Sequence, residues 1–324
     1  MVFATSYRST DMPQVPVQKR MRSAQRALQL QTAGLIVGLS GLLMLTGYLL
    51  AGGLGLLIAV GGLVGLALSG AAPATGVRID LPRLNPWQAP TIHGMVAELS
   101  RRAGLPARPE IYLSRIGIPN AAAVGVARPN AIIVTSGLLQ SMPDREIAGV
   151  LAHEISHLRN EDHRFFAVAD RIRFTLGLYS RIAFGLVLLQ LPLVLVGVTV
   201  FSPLALLFLS IAPLIGMAGE FAMRRIREYA ADLGAAELTN DPEGLARALQ
   251  RLSNPSPDLF SALFGFRRPT RGEPEQGGLL RTHPPTDERI RRLLSLRQSN
   301  GVGGRRFPAA SSTYHSRLPD RGRI

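Results

Sequence analysis

The sequence predicts a mainly α-helical integral membrane protein with two transmembrane hairpins, about four helices, and an α+β unit outside the bilayer. Two uncharged apolar runs, Ala27–Val77 and Ile182–Gly219, predict the hairpins. Hydrophobic residues make up 47% of the 324 residues and charged residues only 18%, as expected when apolar residues are concentrated in spans. Cysteine is absent, which excludes disulfides and thiolate metal sites.

The first apolar run is too long for one spanning helix of about 20 residues and long enough for two. We expect spans over Ala33–Leu50 and Leu54–Ala72, with a reversal at Ala51-Gly52-Gly53. A cleaved signal peptide would carry a shorter apolar core nearer the amino terminus, so a retained hairpin is preferred.

The second apolar run is barely long enough for two crossings. Three prolines in it, Pro192, Pro203 and Pro213, are expected to kink or start helices. Two full crossings are the preferred interpretation, and a shallow or re-entrant hairpin is the alternative.

The net charge of +14 fits either a nucleic-acid binder or a membrane protein with basic cytoplasmic flanks. Basic residues border the apolar runs, whereas the short hairpin loops carry no charge; the flanking residues are Lys19, Arg20, Arg22, Arg26, Arg78, Arg83, Arg171, Arg173, Arg224, Arg225 and Arg227. The positive-inside rule therefore places both termini and the middle segment in the cytoplasm. Aromatic residues do not interleave with the basic tail, so the bilayer, and not nucleic acid, is the expected partner.

The middle segment reads as a folded α+β unit. We expect a helix over Pro90–Arg102, a strand over Glu110–Leu113, and a hairpin of Ala121–Val126 with Ala131–Thr135. A helix then starts at Ser141-Met142-Pro143-Asp144, with Ser141 as its amino-terminal cap. Further helices are expected over three later stretches: Arg224–Leu238, Pro242–Ser253 and Thr286–Leu296.

The segment His153-Glu154-Ile155-Ser156-His157 carries the chemistry. Two histidines four residues apart on a helix present both imidazoles on one face, where they can bind one tetrahedral ion. Glu154 lies beside them and can act as general base towards a metal-bound water. The neighbouring residues are apolar, so the helix is expected to be buried and its polar groups to need partners.

A catalytic zinc site needs a third protein ligand, and the sequence offers two. His163 matches the third histidine of the metzincin pattern HExxHxxGxxH, counted from His153. That pattern needs a glycine for its sharp turn, and Asn160 stands at this position here. Glu228 follows the last apolar run and is preferred over His163, with Asp232 one turn later as a partner for a ligating imidazole. The plain alternative for Glu228 is a surface carboxylate paired with Arg224.

The sequence resembles the HtpX-like membrane metalloproteases, relatives of the CAAX prenyl endopeptidases in the gluzincin class. The resemblance covers about Lys19 to Leu296. It rests on an ordered set of motifs: Pro119-Asn120-Ala121, Leu151 to Asp162 around the two histidines, Arg227-Glu228-Tyr229-Ala230-Ala231-Asp232, and Thr282-His283-Pro284-Pro285 through Ile290.

The resemblance implies one zinc ion held by His153, His157 and Glu228, with Glu154 as catalytic base. It also implies that His283 lies near the cleft, against the alternative of a structural residue before a Pro-Pro turn. We expect substrate to add as a strand along the edge that begins at Asn120 and Ala121.

The resemblance further implies a cytoplasm-facing active site in a bacterial inner membrane, acting in quality control of membrane or misfolded proteins. The expected organisation has six parts: a basic segment 1–26, a hairpin 27–77, a zincin-like domain 78–174, a second hairpin 175–219, a helical part with the third ligand 220–298, and a disordered basic tail 299–324.

Two other functions stay open at this stage. One is a prenyl-protein endopeptidase, which the small number of spans disfavours because a lipid-accepting chamber needs more of them. The other is a non-catalytic membrane scaffold stabilised by a metal, which would require a closed site with four protein ligands. Substrate identity and oligomeric state do not follow from the sequence.

Overall fold

The structure is a computed structural model that describes residues 17–68, 79–125, 130–252 and 286–298. Its elements, in chain order, are α1 Val17–Leu68, α2 Pro90–Ala103, β1 Glu110–Ser114, β2 Ala121–Val124, β3 Ala131–Thr135, α3 Ser136–Ser141, α4 Asp144–Arg159, α5 Asp162–Leu195, α6 Pro203–Thr239, α7 Pro242–Leu252 and α8 Thr286–Gln298. The described part of the chain is therefore mainly helical, as predicted.

The first apolar run folds back on itself within α1. Ala51 and Gly52 leave helical geometry, with φ of +57° at Gly52. A Cβ placed on Gly55 would lie 1.9 Å from the carbonyl oxygen of Gly47. Eight residues of straight helix would separate these backbones by about 12 Å. The chain therefore reverses at the expected turn, and glycine on both sides lets the two arms touch.

The second apolar run forms α5 and α6, and both helices extend well beyond it. Pro203 lies in the first turn of α6, where Ser202 caps the helix, whereas Pro192 and Pro213 lie inside helices. The helix expected to start at Arg224 is instead the continuation of α6. As a consequence, the carboxylate expected to serve as third ligand stands on the same rigid helix as an apolar span.

Three described helices, α1, α5 and α6, are long and apolar enough to cross a membrane. Large apolar side chains stay exposed along them, including Val37, Leu57, Phe184 and Leu204. A soluble protein would bury such surfaces, so the helices are suited to a hydrocarbon environment. The prediction of a mainly α membrane protein with an additional small sheet holds at this level.

The two apolar hairpins pack against each other, and glycine allows a close approach. Gly219 of α6 lies against Leu39 of α1, whereas Gly216 of α6 lies against Leu176 of α5 within the second hairpin. Nearer the carboxyl-terminal part of α6, Leu28 of α1 packs with Tyr229. The contacts made by Gly219 and Tyr229 join the first hairpin to the helix that carries Glu228 and Asp232.

The sheet has three strands in the order β1-β3-β2. β1 and β3 pair in parallel, while β2 pairs with β3 antiparallel, with Ala121 opposite Val134 and Ala123 opposite Ile132. β2 is therefore an edge strand among the described residues. The expected strands are present, and the turn between β2 and β3 lies outside the described residues apart from Asn130.

The helix α4 lies in the core between α2, α6 and α7. It begins with Asp144 and Glu146 in its first turn, where acidic side chains favour the helix dipole. The prediction that Ser141 caps this helix is wrong. Ser141 ends the short helix α3 and donates its hydroxyl to the carbonyl of Gly137, and Pro143 occupies the capping position of α4.

Candidate metal centre

The helix α4 presents His153 and His157 one turn apart on the same face. Their Nε2 atoms lie 3.1 Å apart, and their rings stand at 89° to each other with centroids 4.6 Å apart. His153 is buried and His157 is partly buried beside the cleft. Packing of the apolar remainder of α4 fixes the direction in which both imidazoles point.

The helix α6 brings Glu228 to the same point from the far side of the second hairpin. Its Oε2 lies 3.5 Å from Nε2 of His153, and its Oε1 lies 3.7 Å from Nε2 of His157. One ligand atom from each of these three residues lies within 4.8 Å of the others, so the group can hold a metal ion. Glu228 is buried, and Arg224 pairs with Glu220 instead, so the surface-carboxylate alternative does not describe its position.

Each imidazole has a carboxylate on its other nitrogen. Nδ1 of His157 lies 2.5 Å from Oδ2 of Asp162, and Nδ1 of His153 lies 3.1 Å from Oδ1 of Asp232. A proton on Nδ1 that is donated to a carboxylate leaves the Nε2 lone pair available to a cation. The partner expected for one histidine, Asp232, is in place; Asp162 was missed, although its position five residues after His157 could have suggested it.

Two buried arginines stand behind these carboxylates. Arg227 pairs with Asp162 and donates to the carbonyl of Asn160. Arg289 donates to both oxygens of Asp232, at 2.8 and 2.7 Å, and its Nη1 lies 3.0 Å from Oε2 of Glu228. From the sequence alone, Arg227 had a role only among the basic flanks of the apolar runs, and Arg289 had none. The position of Arg227 directly before Glu228 was the available signal for that arginine.

Negative charge exceeds positive charge around the two histidines. Four carboxylates, Glu154, Asp162, Glu228 and Asp232, face two arginines. Burial lowers the pKa of His153, but hydrogen bonds with Asp232 and Glu228 raise it more, to about 10. The surroundings of this imidazole therefore favour a positive charge, which suits a metal cation as well as a proton.

Glu154 lies on α4 next to the first histidine and faces the edge strand. Its Oε2 accepts a hydrogen bond of 2.7 Å from the backbone N–H of Ala123. The expected edge residues lie just upstream. Asn120 is tied through its backbone to Thr135, and its side chain accepts the N–H of Ala121. Ala123 is thus an edge-strand residue whose backbone contacts Glu154 directly.

A cleft of about 190 Å³ runs past this centre. Its walls include Glu154, His157 and Glu228, together with Ala123 of β2 and Gly125, which directly follows that strand. An edge strand beside a cleft allows an extended peptide to add as a further strand.

His163, the alternative third ligand, is placed elsewhere in the cleft. Its ring lies against Gly125, where an added Cβ would be 2.5 Å from its Nδ1. It does not belong to the ligand group found among the described residues. The chain turns at Glu161, with φ of +52°, and not at Asn160, which keeps helical geometry. His283 lies outside the described residues.

We expect Arg289→Ala to destabilise the protein by about 3 kcal/mol, because it leaves two buried carboxylates without their shared counter-charge. Arg291→Ala is the matched control, since Arg291 is exposed on the same helix; it should change stability by less than about 0.5 kcal/mol. Thermal unfolding of both full-length variants in detergent measures the difference. Equal melting temperatures would contradict a role for Arg289 in holding the centre together.

The chain is similar to proteins of a known family. The model of "Peptidase family M48" matches residues 86–297. A "Protease HtpX homolog" from Persephonella marina is 34% identical over 286 residues, covering 84% of this chain and 98% of that protein. Another of the same description, from Acaryochloris marina, is 36% identical over 292 residues, covering 83% of this chain and 95% of that one.

Among solved structures, the crystal structure of S. mikatae Ste24p is similar at 18% identity with a TM-score of 0.40. The match covers 85% of this chain and 66% of that chain, just under two thirds of its length. The family match spans α2 to α8 and includes both histidines and Glu228. The protein is a membrane metalloprotease that belongs to peptidase family M48.

Proposed function

We propose that this protein is a zinc-dependent endopeptidase with one zinc ion per chain, held by His153, His157 and Glu228. The observation that carries the proposal is the convergence of these three ligand atoms beside Glu154 on a cleft. Two imidazole nitrogens and one carboxylate oxygen, in a chain without cysteine, form a donor set typical of catalytic zinc.

The spacing of the donors supports zinc. Tetrahedral zinc with bonds of about 2.0–2.1 Å places its ligands about 3.3 Å apart. Here the two imidazole Nε2 atoms lie 3.1 Å apart, and Glu228 approaches His153 through Oε2 at 3.5 Å and His157 through Oε1 at 3.7 Å. Three protein ligands leave a fourth position for water or substrate, which distinguishes a catalytic site from a closed structural one. The peptidase family likewise favours an enzyme over a scaffold.

Glu154 is the proposed general base. When bound, zinc supplies Lewis acidity that lowers the pKa of a coordinated water to about 7 and polarises the scissile carbonyl. Glu154 accepts a proton from the attacking water and returns it to the leaving amine. Asp162 and Asp232 keep the two imidazoles in the tautomer that this chemistry needs. The edge strand positions the peptide, with the N–H of Ala123 nearest the base.

The charge pattern and the helices support a location at the inner face of a bacterial plasma membrane. Basic residues flank the apolar runs, so we place both termini and the cleft in the cytoplasm, with four crossings in all. Since α5 and α6 lead from the centre into the apolar region, the cleft is placed near the membrane surface. Membrane or misfolded proteins that reach this surface are the proposed substrates.

Metal removal tests the proposal. Full-length protein in detergent should cleave casein and a membrane-protein fragment, lose this activity with a chelator, and regain it with zinc. A prenylated peptide assayed in parallel separates the prenyl-endopeptidase alternative, which would prefer that peptide. Cleavage that a chelator leaves unchanged would contradict the zinc mechanism.

A further inference from the structure

Part of the cleft wall outside the ligand group consists of basic and aromatic side chains. These are His163 and Phe166 on α5 and Arg224 on α6. Arg224 lies about one helical turn from the centre, because it precedes Glu228 by four residues on α6. Four residues of helix rise about 6 Å, which is about the length of two residues of an extended peptide. This part of the cleft is therefore within one or two residues of the scissile bond.

Contacts with neighbouring side chains hold Arg224 in place in this part of the cleft. Its guanidinium lies over the ring of Phe166, 4.8 Å from the centroid. Its Nε and Nη2 donate to Oε1 of Glu220 at 3.0 and 2.9 Å. Glu220 is buried and also pairs with Arg173 of α5 at 2.7 Å, while Asp170 is a second partner of Arg173. The arginine is therefore braced by two helices and an aromatic ring.

These contacts leave some N–H donors of the Arg224 guanidinium available to a ligand. The two hydrogen bonds to Glu220 use two of the five N–H donors of a guanidinium. The side chain of Arg224 is 31% exposed and contributes to the cleft wall, so its other donors are accessible. A guanidinium that is already ordered loses less side-chain entropy when it binds, and its planar fork matches a carboxylate.

We propose that Arg224, with Phe166 and His163, forms a subsite that takes a carboxylate of the substrate close to the scissile bond. The inference rests on the proposed function and adds a substrate class to it. The carboxylate comes from an acidic side chain or from the carboxyl terminus of the chain being cut. Elsewhere in the cleft, Glu154 and Glu228 repel such a group, so the preference is confined to one substrate position.

Matched peptides test the inference. Cleavage sites in casein are first mapped by mass spectrometry with the zinc-loaded full-length protein. One site is then copied into peptides that carry Glu or Gln at each position in turn, with a free or an amidated carboxyl terminus. The wild-type protein should show kcat/KM about tenfold higher for one carboxylate-bearing peptide than for its neutral partner, as expected for a charge-assisted hydrogen bond. A difference between Glu and Gln at one position identifies an acidic side chain as the source of the carboxylate. A difference between the free and the amidated peptides identifies the carboxyl terminus.

Variants then assign the preference to Arg224. The Arg224→Gln variant should bring the ratio close to one, and Arg224→Lys should give an intermediate ratio. Arg225→Gln, a neighbouring residue outside the described cleft wall, should keep the wild-type ratio. Because each ratio is measured within one preparation, differences in the amount of active enzyme cancel.

The possible outcomes separate the two proposals. A wild-type protein that cuts peptides without any carboxylate preference would overturn the subsite and leave the peptidase mechanism standing. The same holds for a preference that both Arg224 variants retain. A wild-type protein that cleaves no peptide would overturn the proposed function and the subsite with it.

Discussion

Glu154→Gln should lower peptide cleavage by about 10²–10⁴-fold while the protein keeps its fold and its zinc. The amide has the shape of the carboxylate but cannot accept a proton from water. Its oxygen can still accept the hydrogen bond from Ala123, so the contact with the edge strand persists. Glu154 does not belong to the three-residue ligand group, so zinc content should stay near one per chain.

The matched control is Glu237→Gln, a carboxylate on α6 that is 48% exposed and pairs with Arg159. This change should leave kcat/KM within about twofold of wild type, since surface substitutions have small effects. Casein cleavage and zinc content are measured on the same preparations. Full activity in the Glu154→Gln variant would remove this residue from the mechanism.

Glu228→Ala should weaken zinc binding by more than about 100-fold, because even changes in groups behind the ligands cost 10–100-fold. The variant should therefore lose zinc on dialysis against a weak chelator and lose cleavage with it. The buried pair with Arg289 is broken as well, so a lower melting temperature is also expected.

His163→Ala is the comparison that decides the third ligand. The histidine lies in the same cleft against Gly125, outside the ligand group. We expect this variant to keep wild-type zinc content. Zinc retention by the Glu228 variant together with zinc loss by the His163 variant would reverse the assignment.

Much of the fold follows from local sequence. The uncharged runs predicted the hairpins, and Ala51-Gly52-Gly53 predicted the reversal in α1, because glycine tolerates the positive φ found at Gly52. The extended strands and the helix with both histidines lie where composition and periodicity placed them. Such features depend on neighbouring residues alone, so one sequence suffices.

Features that depend on distant partners could not be predicted in this way. Arg289 is separated from Asp232 by a long stretch of chain, and nothing local indicates their ion pair. An ion pair of Arg224 with Glu228, one turn later, was the plain alternative to a ligand role for Glu228, but Arg224 pairs with Glu220, one turn earlier. Both carboxylates have the spacing for an ion pair, so the choice between them rests on tertiary packing.

The prediction of a helix start at Ser141 was wrong for a related reason. Ser141 followed by Pro143 and Asp144 has the composition of a helix start. An additional short helix, α3, uses that serine as its last residue, and its hydroxyl bonds backward to Gly137. Competing local hydrogen bonds of this kind are common for serine, and tertiary context selects among them.

The central claim is that two residues of α4 and one residue of α6 together hold a single zinc ion, although the second hairpin separates them in the sequence. X-ray absorption at the zinc edge, with zinc content, tests it on the purified full-length protein. The account predicts one zinc per chain with two imidazole nitrogens and carboxylate or water oxygens at about 2.0–2.2 Å, and an imidazole count that His163→Ala leaves at two. Three imidazoles in the wild-type protein, or the absence of stoichiometric zinc, would contradict it.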